Sequence, residues 1–274
     1  DWFFPAATAR GYELTTITEI WDVLRAFASF GFCKAHAAAF ALPTYQSAYL
    51  KTHHPAAFIA GVLTHDPGMY PKRLMVDEAR QLGVGLAPLD INFSNESYTV
   101  EKSNDGAYRV RIALSTVGGI SAGEIDSIIA GRPYIDLADF YRRSGASHPI
   151  IETLIMTGAF DRVHSLNEKN KDALNHRDLL LHLSDLTRSP ASNISGSQMV
   201  FGFAPPALAT SGLPAMGASE KVRNEVERLG MDITHHMLEF YAPFLNAIGA
   251  VKSSDLLTLR SQSDILVAGV KVAM

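Results

Sequence analysis

A mainly helical protein with small β elements, divided among several units, is the fold class that the sequence predicts. Three observations carry it. Apolar residues recur at three- and four-residue spacing through most of the chain, alternation is confined to short runs, and one stretch rich in Pro, Gly, Ser and Ala separates the helical parts. The 274 residues are 47% hydrophobic and 19% charged, enough apolar surface to exclude wholesale disorder. Lys and Arg number 24 against 28 Asp and Glu, a formal charge of −4, so composition supplies no chain-wide basic footprint. Cys33 is the single cysteine, which excludes a disulfide framework and a Cys-rich zinc site and suits a reducing, cytoplasmic setting. Uncharged runs after Lys34 and Lys51 are interrupted by His36, Pro43, His53, His54 and Pro55, so no membrane span is expected. The chain begins at Asp1 without a leader pattern and reads as an internal piece of something longer.

The elements follow in order. Ile17, Ile20, Trp21, Leu24 and Phe27 share one face of a helix over 15–32. The Ala-rich stretch 34–42 is a second helix, which Pro43 should kink or restart, and 44–51 continues the pattern. Pro55 suits the first turn of a helix through Leu63. Pro71 opens another that Gly83 ends after Leu82. Residues 86–92 read as extended, and 97–100 with 108–112 as a hairpin across Asn104-Asp105-Gly106. Helices return over 114–130, 137–143 and 150–157, with one or two more over 166–186. Residues 189–217 have linker composition. A capped, charged helix over 219–229 ends at Gly230, 254–259 is a short helix, and the alternation of 264–274 reads as a strand.

Independent chemistry is hard to place. The chain has no phosphate-loop glycine pattern and no Asp-x-Asp pair to hold Mg²⁺. His53-His54 and His235-His236 are adjacent residues whose side chains diverge on a helix, so no metal site and no catalytic residue is assigned. Two features stand out. Leu114-x-x-Val117-Gly118-Gly119-Ile120-Ser121-x-x-x-Ile125 reads as helix, glycine hairpin, helix. Such a turn frees main-chain N–H groups at the next helix start to face a phosphate, or else serves as a tight turn between packed helices. Arg109 and Arg111 flank it as candidate phosphate contacts. The second feature is Phe30-Gly31-Phe32-Cys33-Lys34-Ala35-His36-Ala37-Ala38-Ala39-Phe40, continuing through Tyr45-Gln46 to Leu50-Lys51-x-His53-His54-Pro55-Ala56-Ala57-Phe58. His36 and Phe40 share a helix face there, with Lys34 at the helix start. The trio could meet a nucleotide or be half-buried packing.

These residues resemble the fingers of the bacterial DNA polymerase III alpha subunits, the C-family replicative polymerases, whose motif runs Phe-Gly-Phe-x-Lys-Ser-His-Ala-x-Ala-Tyr. The likeness continues in order through 80–92, the Gly118 hairpin, 151–161, 220–244 and 264–273, sparing only the linker. The resemblance implies a DNA-directed DNA polymerase as parent, acting in replication or in error-prone repair synthesis. It places Lys34, His36 and Phe40 at the nucleotide and base-pair pocket, with Ala35 and Phe40 departing from the family Ser and Tyr. It also implies duplex DNA held at Gly118, Gly119, Ile120 and Ser121, and deoxynucleoside triphosphate bound in the parent enzyme. Mg²⁺ belongs to a palm that this chain lacks, so the chain alone should not polymerise, and no cofactor is expected in it. Gln198 and Phe201 stand where the family carries a sliding-clamp peptide, and other replicase subunits would be further partners. The implied layout is the end of the fingers over 1–100, tandem helix-hairpin-helix units over 101–188, the linker over 189–217, a helical connector over 218–262 and the first strand of an OB domain over 263–274. The competing reading is a non-catalytic helix-hairpin-helix protein that binds nucleic acid.

Overall fold

The computed structural model describes residues 2–28, 34–66, 68, 70–103, 105–166, 173–188 and 207–270. Phe30 to Cys33, Gln198, Phe201 and residues 271–274 lie outside them. Two compact units divide between Leu50 and Lys51.

The first unit holds α1 (Phe3–Ala9), α2 (Leu14–Ala28) and most of α3 (Lys34–His53). Phe3 stacks on Trp21 with ring centroids 5.4 Å apart, Phe4 meets the same indole edge-on at 5.6 Å, and Ile17, one turn before Trp21, is buried. Helix α3 differs from expectation, because it runs without a break through Pro43. Five alanines among residues 35–41 supply the strongest helix propensity, and an interior proline removes one donor without forbidding helical φ. No side chain of α3 is fully buried.

The second unit begins with α4 (Pro55–His65) and α5 (Lys72–Gln81), which pack on a three-stranded sheet. Its strands are β1 (Gly85–Ala87), β2 (Thr99–Lys102) and β3 (Tyr108–Arg111), in the order β1-β3-β2. The expected hairpin is present, with Val100 opposite Val110 and Gly106 at φ 87° in the turn. Strand β1 pairs with β3 in parallel, Leu86 facing Val110, a pairing that the local sequence did not announce. Ile59, Leu63, Val76 and Ala79 therefore share a core with Val110 and Ile112, which places α4 and α5 on the hairpin side of the division between units.

A single 3-10 turn (Leu114–Thr116) leads into α6 (Ala122–Ala130), α7 (Leu137–Arg143) and α8 (His148–Met156), with α9 (His176–Arg188) packed on α7 and α8. Phe140 meets Phe160 edge-on at 5.1 Å and Tyr134 at 4.7 Å, among Ile128, Leu137, Leu154 and Leu179.

Composition made residues 189–217 a plain linker, but the part described, 207–217, is docked. Asp178 accepts from the backbone N–H and the hydroxyl of Ser211, Asn175 donates to the Leu213 carbonyl at 3.0 Å, and Met216 is buried. Side-chain capping holds such a strip without any apolar period. Helix α10 (Ala218–Leu229) then packs on α8 and buries Val222 and Leu229. Glu225 Oε2 accepts from the N–H groups of Ile233 and Thr234 at 2.8 and 3.0 Å, and Arg177 forks onto Glu220 at 2.9 Å. A 3-10 turn (Met237–Tyr241), α11 (Ala242–Ala247) and another 3-10 turn (Ser253–Thr258) follow. Residues 264–270, expected as a strand, have no ladder partner among the described residues; the Val251 N–H donates to the Leu266 carbonyl at 2.8 Å.

Candidate nucleic-acid interface

The hairpin is built from both sides. The Tyr98 hydroxyl, its pKa raised by burial, accepts from Thr116 Oγ1 at 2.8 Å, and the Leu114 N–H reaches the Asn95 carbonyl at 2.8 Å. On the far side the Gly118 N–H donates to the Arg228 carbonyl at 3.2 Å, and the Arg228 guanidinium donates to Thr153 Oγ1 at 3.0 Å. Gly119 sits at φ +81°, a conformation that L side chains rarely adopt, so a glycine is required where the chain reverses. The rim of the turn, Gly118, Gly119 and Ser121 to Gly123, is exposed, while Ile120 is half-buried and packs against the core.

Ser121 then caps α6 in a reciprocal box. Its hydroxyl accepts from the Glu124 N–H at 3.2 Å, and Glu124 Oε2 accepts from the Ser121 N–H at 2.9 Å. Glu124 Oε1 accepts from the Ser147 N–H, at the N-cap of α8, at 2.9 Å. Backbone donors of Ser121 and Ser147 hold this carboxyl down to about 2. Among the described residues no acceptor faces the N–H groups of Gly119, Ala122 or Gly123. The Ser-x-x-Glu spacing at 121–124 is a local signal not used in reading the sequence, and the second bond to Ser147 has no local signal at all.

The two flanking arginines separate. Arg109 is partly exposed and lies across Gly85, with a 3.4 Å contact to Asp105. Arg111 is buried, bidentate to Glu101 at 2.7 to 2.9 Å and bonded to the Pro88 carbonyl at 2.6 Å. Its donors are spent inside the fold, which corrects the expectation that it faces phosphate. Arg132 is likewise committed to the carbonyls of Ile91 and Ser94, and Arg143 to Asp139 and the carbonyls of Gly131 and Pro133.

In the first unit, His36 and Phe40 meet with ring centroids 4.6 Å apart at a tilt of 54°. Phe40 is 58% exposed and Lys34 is exposed at the start of α3. His36 and Phe40 thus meet on an open helix face, with Lys34 two residues before His36 at the helix start and in no contact with the pair among the described residues.

His236 does not stand with His235 but approaches Asp77 and the buried Asp232. That trio does not suit a metal as it stands. Arg80 donates to Asp77 at 2.8 Å and lies 3.5 Å from Asp232, supplying the positive charge itself. The Leu238 N–H donates to His236 Nδ1 at 3.1 Å, which leaves the proton on Nε2, the atom facing Asp77 at 3.8 Å.

The family model described as a helix-hairpin-helix motif matches residues 83–171, the sheet and α6 to α8. An error-prone DNA polymerase of Symbiobacterium thermophilum is 32% identical across 98% of this chain. The DNA polymerase III alpha subunits of Vibrio cholerae and Campylobacter jejuni are 29% and 26% identical across 99% and 97% of it. This chain is homologous to a segment of these polymerases. It spans 28%, 24% and 23% of their respective lengths. The resemblance drawn from the residues at 30–58 and 114–128 thus extends along almost the entire polymerase-related segment. No helix among the described residues is long and apolar enough to cross a membrane.

Proposed function

We propose that this segment serves a DNA-directed DNA polymerase of bacterial replication or error-prone repair by holding duplex DNA at the Gly118–Gly123 hairpin and presenting Lys34, His36 and Phe40 to the nascent base pair. The observation that carries the reading is the hairpin itself: an exposed glycine turn with the N–H groups of Gly119, Ala122 and Gly123 open at a helix start, inside a segment homologous to polymerases. Main-chain donors read phosphate and not base edges, so binding is independent of sequence. Arg109 adds one cation, and few neutralised phosphates imply a weak affinity, about 10⁻⁴ M at physiological salt. Phosphoryl transfer needs carboxylates that hold Mg²⁺ at the primer end, and with no Asp-x-Asp here the segment alone does not extend a primer. Deoxynucleoside triphosphate, Mg²⁺ and a sliding clamp met through Gln198 and Phe201 belong to the parent enzyme in this reading.

Titration of the purified chain with two unrelated duplexes, alongside primer extension with Mg²⁺, tests it. Equal weak binding to both and no extension are expected. A strong preference for one duplex, or template-dependent extension, overturns the reading.

A further inference from the structure

We infer that Glu124 is an intramolecular anion competing with DNA phosphate for the hairpin, a built-in determinant that keeps duplex affinity low. The inference rests on the duplex-binding reading above. One carboxylate spans the starts of two helices. Its Oε2 accepts from the backbone N–H and hydroxyl of Ser121, at 2.9 and 2.8 Å, before α6. Its Oε1 accepts from the Ser147 N–H at 2.9 Å, before α8. An anion is thus already seated across both helix starts, and it is the protein's own.

Two consequences follow from charge and geometry. The donors of Ser121 and Ser147 are withdrawn from any incoming phosphate, which leaves those of Gly119, Ala122 and Gly123. A full negative charge also stands in the same first turn of α6 as the Ala122 and Gly123 donors, a repulsion that costs a few-fold in affinity even at the dielectric of water. The carboxyl is ionised throughout the neutral range, so the competition is constant and is not a pH switch. Asp126, two residues on and exposed, carries the same charge from the same helix. It holds no hairpin donor among the described residues.

The test compares Glu124→Gln, Glu124→Ala and the control Asp126→Asn in the full chain, with a random-sequence duplex titrated at several salt concentrations. Thermal melts confirm that each variant is folded. Both Glu124 variants should bind the duplex about three- to ten-fold more tightly than the parent chain, and Asp126→Asn less than two-fold. Glu124→Ala gives up half of the capping box but keeps the Ser121 cap and a strong helix former, and it frees all three donors, so it decides the matter should the glutamine variant be unstable. Unchanged or weaker binding by the folded Glu124 variants, or an equal gain from Asp126→Asn, overturns the inference. If the parent chain and every variant fail to bind, the duplex-binding reading itself is what fails.

Discussion

Arg109 and Arg111 sit two apart on β3 and so share one face of the sheet, yet only one reaches solvent. Register places Arg109 directly opposite Glu101, but the carboxylate turns to the diagonal neighbour, Arg111, whose guanidinium it holds in two-point contact beneath the Pro88 carbonyl. Arg111→Ala should therefore destabilise the fold by about 3 kcal/mol, read as a shift in denaturant midpoint, because it strands a partly buried Glu101. Arg109→Ala should leave stability nearly unchanged and reduce the salt slope of duplex binding by about 1. A reversal of these phenotypes would mean that the two side chains have been assigned the wrong environments. Alternation along a strand made both arginines equivalent in the sequence; what separates them is a cross-strand diagonal that only the folded register reveals.

A second residue-scale consequence concerns acid. The Leu137 N–H donates to His164 Nε2 at 3.1 Å, a bond that requires a neutral imidazole. Burial lowers the pKa of His164 and of His182, and their mutual repulsion lowers that of His164 further against the opposing pull of Asp136. For a base whose folded pKa lies below its unfolded value, the unfolded chain takes up protons first. Stability is therefore full above about pH 6.5 and declines as pH falls towards the folded-state values. His164→Gln keeps an acceptor for the Leu137 N–H and should flatten the fall in Tm between pH 7 and pH 5.5. An unaltered fall would assign the acid sensitivity to other groups.

Single elements show where local sequence rules were sufficient. Pro55 and Gly83 frame α4 and the end of α5 as the sequence indicated, and Gly230, at φ 73°, ends α10. Pro43 misled, because a breaker rule weighs one residue while the helix sums over twenty. Pro43→Ala restores a donor to the Ala39 carbonyl and should stabilise α3 by up to about 3 kcal/mol, measured as slower amide exchange across 39–47. Exchange that is unchanged or faster would contradict a continuous helix. Strand β1 was read as extended but not as paired, since its partner in β3 lies 24 residues further on and parallel pairing has no local signature. The hairpin was legible in kind, through Gly118-Gly119. Its first helix proved to be a single 3-10 turn, held by Asn95 and Tyr98 instead of by its own length.

At the scale of the whole molecule, the chain after Gly217 is part of what holds the hairpin. Arg228 touches Gly118 with its carbonyl and Thr153 with its side chain, and Asp232 joins Arg80 of α5 through its carbonyl at 2.7 Å. Composition could not show this, because the contacts are made by main-chain atoms and by polar residues that a linker or an exposed helix would carry equally. Limited proteolysis should cut within 189–206 before any site between Ser211 and Ile233, given the docking of Ser211, Leu213 and Met216. Early cleavage after Leu213 would show that the docked strip is not held.

In the proposed function the main chain of the Gly118–Gly123 turn holds the phosphates of a duplex. Gly119→Pro tests it most directly, because proline is fixed near φ −65° and cannot adopt the +81° of this turn, and it also removes one of the open N–H donors. Measured by titration with two unrelated duplexes across a salt series, on a variant whose melt shows the remaining fold intact, it should weaken binding to both by about ten-fold and make the salt dependence shallower. Affinity and salt slope equal to those of the parent chain would place the duplex elsewhere on the molecule.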